Sequence, residues 1–254
     1  MRRTLDKAYR RPRIPEQPES RIINFDPAAT WPWRSRSREG NVGYPWFNWP
    51  MPLRYPRGVF VVLATLFVAL ACAVVFIGVL PADAAMRDGL LAWASPAVVG
   101  AMRIVNRGGD WRVLLPATLL LLLFFKRARE RWWLWIALMI AAPATEGVLK
   151  IVVGRPRPEG PAFGFPSGHA TAAAAFFGAV VYLAGSLPPT LRRVVRALAV
   201  VCIVLVGLAR VILRAHWPSD VVGGITLGLC LASIAAMLDS YETGADQALT
   251  TRTA

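Results

Sequence analysis

Apolar runs separated by short polar breaks dominate the chain from residue 59 to residue 238. A helix that crosses a bilayer needs roughly 17–25 mainly apolar residues, and it satisfies its own backbone there. The pattern predicts an all-α, polytopic membrane protein with six transmembrane helices, over 59–80, 113–125, 132–153, 169–187, 198–213 and 221–238. The second is short and borrows Trp111 and Arg112 at its edge. Residues 83–110 are apolar but broken by Asp88, Arg103 and Arg107, which predicts an extra interfacial helix after the first span.

The flanks read differently. Residues 1–57 are rich in Arg and Pro and hold no hydrophobic period, which predicts a largely disordered arm. Trp31, Trp33, Trp46, Phe47 and Trp49 near its end suit headgroup depth, with anionic lipid headgroups as its partner. Residues 58–238 form the membrane domain and 239–254 a polar tail. No apolar stretch opens the chain, so the first span is expected to be an uncleaved anchor.

Composition supports the bilayer: 56% of the 254 residues are hydrophobic and mean hydropathy is +0.46. The charge is +14, from 29 basic and 15 acidic residues. On a soluble protein this would suggest nucleic acid, which is excluded here because the excess lies beside apolar segments. The arm, 126–131 and the stretch with Arg192, Arg193 and Arg196 share one side, expected to be the cytoplasm with both termini. Segments 81–112, 154–168 and 214–219 then lie outside. Cys72, Cys202 and Cys230 fall within apolar runs and read as small hydrophobes.

Three short segments carry candidate chemistry. Lys150 and Arg157-Pro158 follow the third span. Pro166-Ser167-Gly168-His169 opens the fourth. Arg210, His216 and Asp220 join the fifth to the sixth. Three cations without an anion repel each other at membrane depth, so Lys150, Arg157 and Arg210 read as a site for phosphate. Pro166 stops a preceding helix, Ser167 is a candidate N-cap, and backbone N–H groups there can face an anion. Gly168 permits close backbone approach, and His169 can protonate a leaving oxygen. Asp220, four residues past His216, can orient that imidazole as a nucleophile. Glu146 is an ion-pair partner for Lys150, while Arg155 and Arg214 read as interfacial anchors. Gly223-Gly224 and the run Ala172 to Ala175 read as packing surfaces.

These segments resemble the signature of the phosphatidic acid phosphatase type 2 superfamily, membrane phosphatases related to vanadium haloperoxidases. That pattern has Lys, six residues, Arg-Pro; then Pro-Ser-Gly-His; then Ser-Arg, five residues, His, three residues, Asp. Ala209 departs from it by replacing Ser. The resemblance implies a phospho-histidine on His216, His169 as acid then base, and a phosphate cradle of Lys150, Arg157, Ser167, Gly168 and Arg210. It implies no metal and no cofactor.

The expected function is therefore hydrolysis of a lipid phosphate or pyrophosphate, with polyprenyl (undecaprenyl) pyrophosphate first. Phosphatidylglycerophosphate, phosphatidate and lipid A phosphates are the other hydrolase candidates. Phosphotransfer between lipids, and non-catalytic binding of anionic lipid, are competing readings. The expected place is the inner membrane, with the site on the extracytoplasmic face.

Overall fold

The breaks between helices fall at residues that cannot continue a helix or that cap the next one. In the computed structural model the backbone is described for residues 57–250 and the side chains for 57–240. The arm before residue 57, and the tail's side chains, lie outside those bounds. The helices are α1 (Arg57–Ile77), α2 (Pro81–Ala92), α3 (Pro96–Asn106), α4 (Trp111–Phe124), α5 (Lys126–Glu130), α6 (Trp132–Val153), α7 (Gly168–Leu183), α8 (Pro189–Ile212) and α9 (Pro218–Thr250). Proline stands first in α2, α3, α8 and α9, where its missing N–H costs nothing. Ser95 caps α3 through the Val98 N–H at 3.3 Å, and Asp110 caps α4 through the Arg112 N–H at 2.9 Å. Gly154, at φ 63°, closes α6 in the left-handed region.

Among the described residues five helices are long and apolar enough to cross a membrane: α1, α6, α7 extended to Ser186, α8, and α9 as far as Ser240; the bent pair α2 and α3, taken as one span, makes six. The protein is an all-helical, multi-pass membrane protein. The predicted second span, α4, has 14 residues and so rises only about 21 Å, against a core of about 30 Å.

Two expectations change. The interfacial segment 83–110 is two helices, α2 and α3, bent by 115° at a short break. Ser95-Pro96 causes the break, because the residue before proline is pushed out of the helical region. The basic stretch with Arg192, Arg193 and Arg196 is the first part of α8, which starts at Pro189 rather than 198. Helix α9 continues into the polar tail as far as Thr250, and Asp239 at its start is fully buried.

Helix α7 sits at the centre, against α6, α8 and α9. Its face toward α9 runs along Ala170, Thr171, Ala174 and Gly178, which pack against Gly224, Gly228 and Ala232. A Cβ on Gly228 would run into the Thr171 carbonyl and stand 2.7 Å from the Ala174 Cβ. The two backbones therefore touch, as small residues allow inside a bilayer. The outer helices turn Leu, Val, Ile and Phe side chains outward, and α1 buries only Val74. Trp93 and Trp111 at one end, and Trp132 and Trp133 at the other, are exposed, as aromatic belts are.

Buried charge marks the end away from the histidines. Arg127 Nε donates to Asp239 Oδ2 at 2.5 Å, and the Tyr182 hydroxyl donates to the same oxygen at 2.7 Å. Arg196 Nε donates to the Val181 carbonyl at 3.0 Å. The basic residues of 126–131 and of early α8 thus share one end of the bundle.

Candidate active site

At the opposite end, four helix termini meet: the end of α6, the starts of α7 and α9, and the end of α8. The segment between α6 and α7 folds back on itself. Arg157 N–H donates to the Ala162 carbonyl at 3.3 Å, and Gly164 N–H to the Arg155 carbonyl at 2.6 Å. Ser167 N–H donates to the Asp220 carbonyl at 2.9 Å, which fixes the start of α7 to the start of α9. The segments at 150–158, 166–169 and 210–220 therefore lie at one end of the molecule.

Each candidate residue has a definite place. Lys150, on the last turn of α6, pairs with Glu146 one turn back. Arg157 Nε donates to the Phe163 carbonyl at 3.1 Å. Ser167 is fully buried, and its hydroxyl has no hydrogen-bond partner among the described residues. Gly168 has a role that its sequence context does not reveal. A Cβ there would meet a Glu146 carboxylate oxygen at 2.8 Å, so its missing side chain makes room for the Glu146–Lys150 pair.

His169 is half-buried on the first turn of α7 and packs on Gly109, whose Cβ would come within 2.7 Å of the His169 carbonyl oxygen. It lies within electrostatic reach of Arg210, Asp110, His216 and Lys150. Arg210 is buried on the last turn of α8. Its Nη1 donates to Asn106 Oδ1 at 2.8 Å, and its Nε has no partner. Ala209, in place of the expected Ser, is fully buried and offers only a methyl group.

His216 stands two residues before α9 and is 1% exposed. Its Nδ1 faces Asp220 Oδ2 at 3.4 Å, which leaves Nε2 on the other edge of the ring. Asp220 Oδ2 also accepts the Trp217 N–H at 3.0 Å. Burial pushes the His216 imidazole down to about 4; the Asp220 hydrogen bond opposes this, while the Arg210 and Arg157 charges add to it. The imidazole is therefore neutral at neutral pH.

Arg155 corrects a sequence expectation. It is not an interfacial anchor but 3% exposed, and it donates to three side chains. Nη1 reaches Asp220 Oδ1 at 2.6 Å and Ser219 Oγ at 2.7 Å, and Nη2 reaches Asp83 Oδ2 at 2.5 Å. Asp83 in turn accepts the Ser219 N–H at 2.9 Å and its hydroxyl at 2.7 Å. Sequence reasoning passed over Asp83, Asn106, Asp110 and Ser219. The available signal was Asp83 itself, a carboxylate in an apolar stretch that must find a cation. Arg214, the other expected anchor, is exposed, at φ 58°, with Nη1 3.5 Å from Glu159.

Likeness to known proteins covers the same region. The model of the PAP2 superfamily matches residues 131–243, which span all three segments. Phosphatidylglycerophosphatase B of Bacillus subtilis is 31% identical over 176 residues, covering 65% of this chain and 87% of that protein. Decaprenylphosphoryl-5-phosphoribose phosphatase of Mycobacterium tuberculosis is 31% identical over 170 residues, covering 60% of this chain and 85% of that one. The crystal structure of a transmembrane PAP2-type phosphatidylglycerolphosphate phosphatase from Bacillus subtilis aligns with a TM-score of 0.61 at 27% identity, over 72% of this chain and 96% of that one.

Proposed function

As a member of the PAP2 superfamily the chain is a membrane phosphatase acting on lipid phosphates, and we propose that it works through a phospho-histidine on His216 without a metal ion. Arg157, Arg210 and Lys150 hold the phosphoryl oxygens, joined by the Ser167 hydroxyl and the N–H groups at the start of α7. His216 Nε2 attacks phosphorus as the bond to the lipid oxygen breaks, and His169 gives that oxygen its proton. Water then attacks the phospho-histidine, its proton passing to His169, and the P–N bond breaks to release phosphate. Asp220, across the ring at Nδ1, stabilises the cationic imidazole that forms. The cations meet charge as it moves to the leaving oxygen.

The observation that carries this reading is the pair of histidines, brought by separate helix termini within electrostatic reach of each other and of Arg210. Ser167 Oγ and Arg210 Nε support it: both are buried polar atoms at this site without a hydrogen-bond partner among the described residues.

For the substrate we take a polyprenyl diphosphate first. The basic residues of 126–131 and of early α8 lie at the end opposite the histidines, and read by the positive-inside rule they support a site outside the inner membrane and both termini in the cytoplasm. An outward site suits a carrier lipid left there after use, and the likeness to a decaprenyl-linked phosphatase supports the choice. Phosphatidylglycerophosphate is the second reading, favoured by the 87% coverage of a phosphatidylglycerophosphatase. Anionic headgroups at the N-terminal arm complete the proposed partners.

The test is phosphate release by detergent-purified protein from undecaprenyl diphosphate, phosphatidylglycerophosphate, phosphatidate and lipid A. The diphosphate is expected to give the largest kcat/KM, unchanged by EDTA. His216→Ala is expected to lower release from every substrate by at least about 1,000-fold. Full activity in that variant would remove the proposed nucleophile.

A further inference from the structure

Arg155 has no place in the mechanism above, yet it is the most enclosed arginine around the site. Its side chain is 2% exposed, and both terminal nitrogens are taken by carboxylates. It therefore does not face the phosphate. It clamps the one oxygen of Asp220 that His216 does not use: Oδ1 goes to Arg155 at 2.6 Å, while Oδ2 lies opposite His216 Nδ1. The Trp217 N–H and the imidazole hold only Oδ2 of this carboxylate, and the guanidinium fixes its other oxygen and so its orientation. Asp83, from α2, holds Arg155 from the far side and takes both polar groups of Ser219.

We propose that Arg155 is a positioning residue for the phosphatase reaction, held by Asp83, that fixes the Asp220 carboxylate against His216. This rests on His216 being the nucleophile. The buried set has charges of −1, +1 and −1 on Asp83, Arg155 and Asp220. It leaves one negative charge beside an imidazole that becomes cationic only during reaction. Burying that charge is sustainable because every member is paired. It also explains why α2 enters the bundle as half of a bent pair: Asp83 on its first turn reaches Ser219 and Arg155.

The charged and titratable groups that act on His216 are Asp220 from α9, Arg210 from α8, Arg157 from the loop after α6 and His169 from α7, with Arg155 behind Asp220. Removing the Arg155 charge leaves Asp220 a stronger base. The imidazole is then protonated more readily, and the acid limb of kcat/KM moves to higher pH. Removing the Asp83 charge leaves Arg155 drawing harder on Asp220, and the limb moves lower. A side chain that served folding alone would move neither limb.

The experiment compares Arg155→Met, Arg155→Lys and Asp83→Asn with the unaltered enzyme, and uses inorganic phosphate as a competitive probe of the anion site. Arg155→Met is expected to lower kcat about 100-fold while the inhibition constant for phosphate stays within about three-fold. Arg155→Lys is expected to restore about a tenth of the loss, and Asp83→Asn to lower kcat about ten-fold. A phosphate inhibition constant that rises in step with the loss of kcat would make Arg155 a phosphate ligand and overturn the proposal. An unchanged kcat and acid limb in the variants would overturn it too. If Arg155→Met is not recovered folded, Asp83→Asn, which keeps the packed volume, decides by the same two readouts. His216→Ala, measured alongside, separates the two claims. Full activity there sinks the nucleophile assignment, whereas a dead His216→Ala with fully active Arg155 and Asp83 variants sinks only the clamp.

Discussion

In the proposed mechanism His216 must be neutral to attack phosphorus, and its surroundings favour that state. Burial, the largest influence, holds its pKa at about 4, below the ordinary 6.5, despite the hydrogen bond to Asp220. The free enzyme's kcat/KM, corrected for titration of the substrate's own phosphate, is therefore expected not to fall as pH is lowered from about 8 to about 5.5. A fall centred near 6.5 with every substrate would contradict this environment. The same pKa gives a stability window. Between 6.5 and about 4 the unfolded imidazole takes up a proton that the folded one refuses. Stability from this group is thus lost as pH falls through that window and levels off below it. The thermal midpoint in detergent is expected to drop over that range in the unaltered protein and less in His216→Asn. At this scale Arg155 and Asp220 show why position matters more than residue type. Each is a buried charge whose neighbour in space comes from a distant part of the chain.

Helices α7 and α9 carry the site between them, one with His169 at its start and the other with Asp220. Their contact through Gly228, Thr171 and Ala174 leaves no room for a side chain. Gly228→Val is expected to force the pair apart at a cost of about 1–3 kcal/mol, lowering the thermal midpoint and kcat together. Retained activity with an unchanged midpoint would mean that the contact is looser than described. The long helices were legible because α1, α6, α7, α8 and α9 each carry a continuous apolar run long enough to cross a bilayer. The motif positions were legible because Lys150 to Arg157, Pro166 to His169 and Arg210 to Asp220 are each set within one helix end and its loop. The Asp83–Ser219 link was not, because it joins residues 136 apart. No local period or spacing encodes such a partner, and Asp83 alone reads as the capping residue that it also is, accepting the Leu80 N–H at 3.1 Å. Arg155 was misread for the same reason. Beside Arg157, in a proline-rich turn, it resembles any interfacial cation until its two carboxylates are in view.

The two ends of the described bundle hold their cations differently: Arg127 and Arg131, with Asp239, stand in the basic stretch 126–131 that flanks apolar segments, whereas Arg157 and Arg210 gather around the two histidines. The positive-inside rule then predicts which end faces out. In a protein with its three cysteines replaced, a single cysteine at Glu159 is expected to react with a membrane-impermeant maleimide in intact cells. One at Glu130 is expected to react only after lysis, and the reverse pattern would invert the proposed orientation. Asp239→Asn, at the far end, is expected to lower the thermal midpoint while leaving kcat per folded molecule within about two-fold. Chemistry at the histidine end is the claim on which the rest depends, and trapping the covalent intermediate tests it most directly. Enzyme mixed with lipid substrate labelled in the reacting phosphate, quenched in alkali within milliseconds and digested, is expected to carry an acid-labile phosphoryl group on His216 that is absent from His216→Ala. Label on another residue, or turnover with no labelled protein at any quench time, would contradict the account.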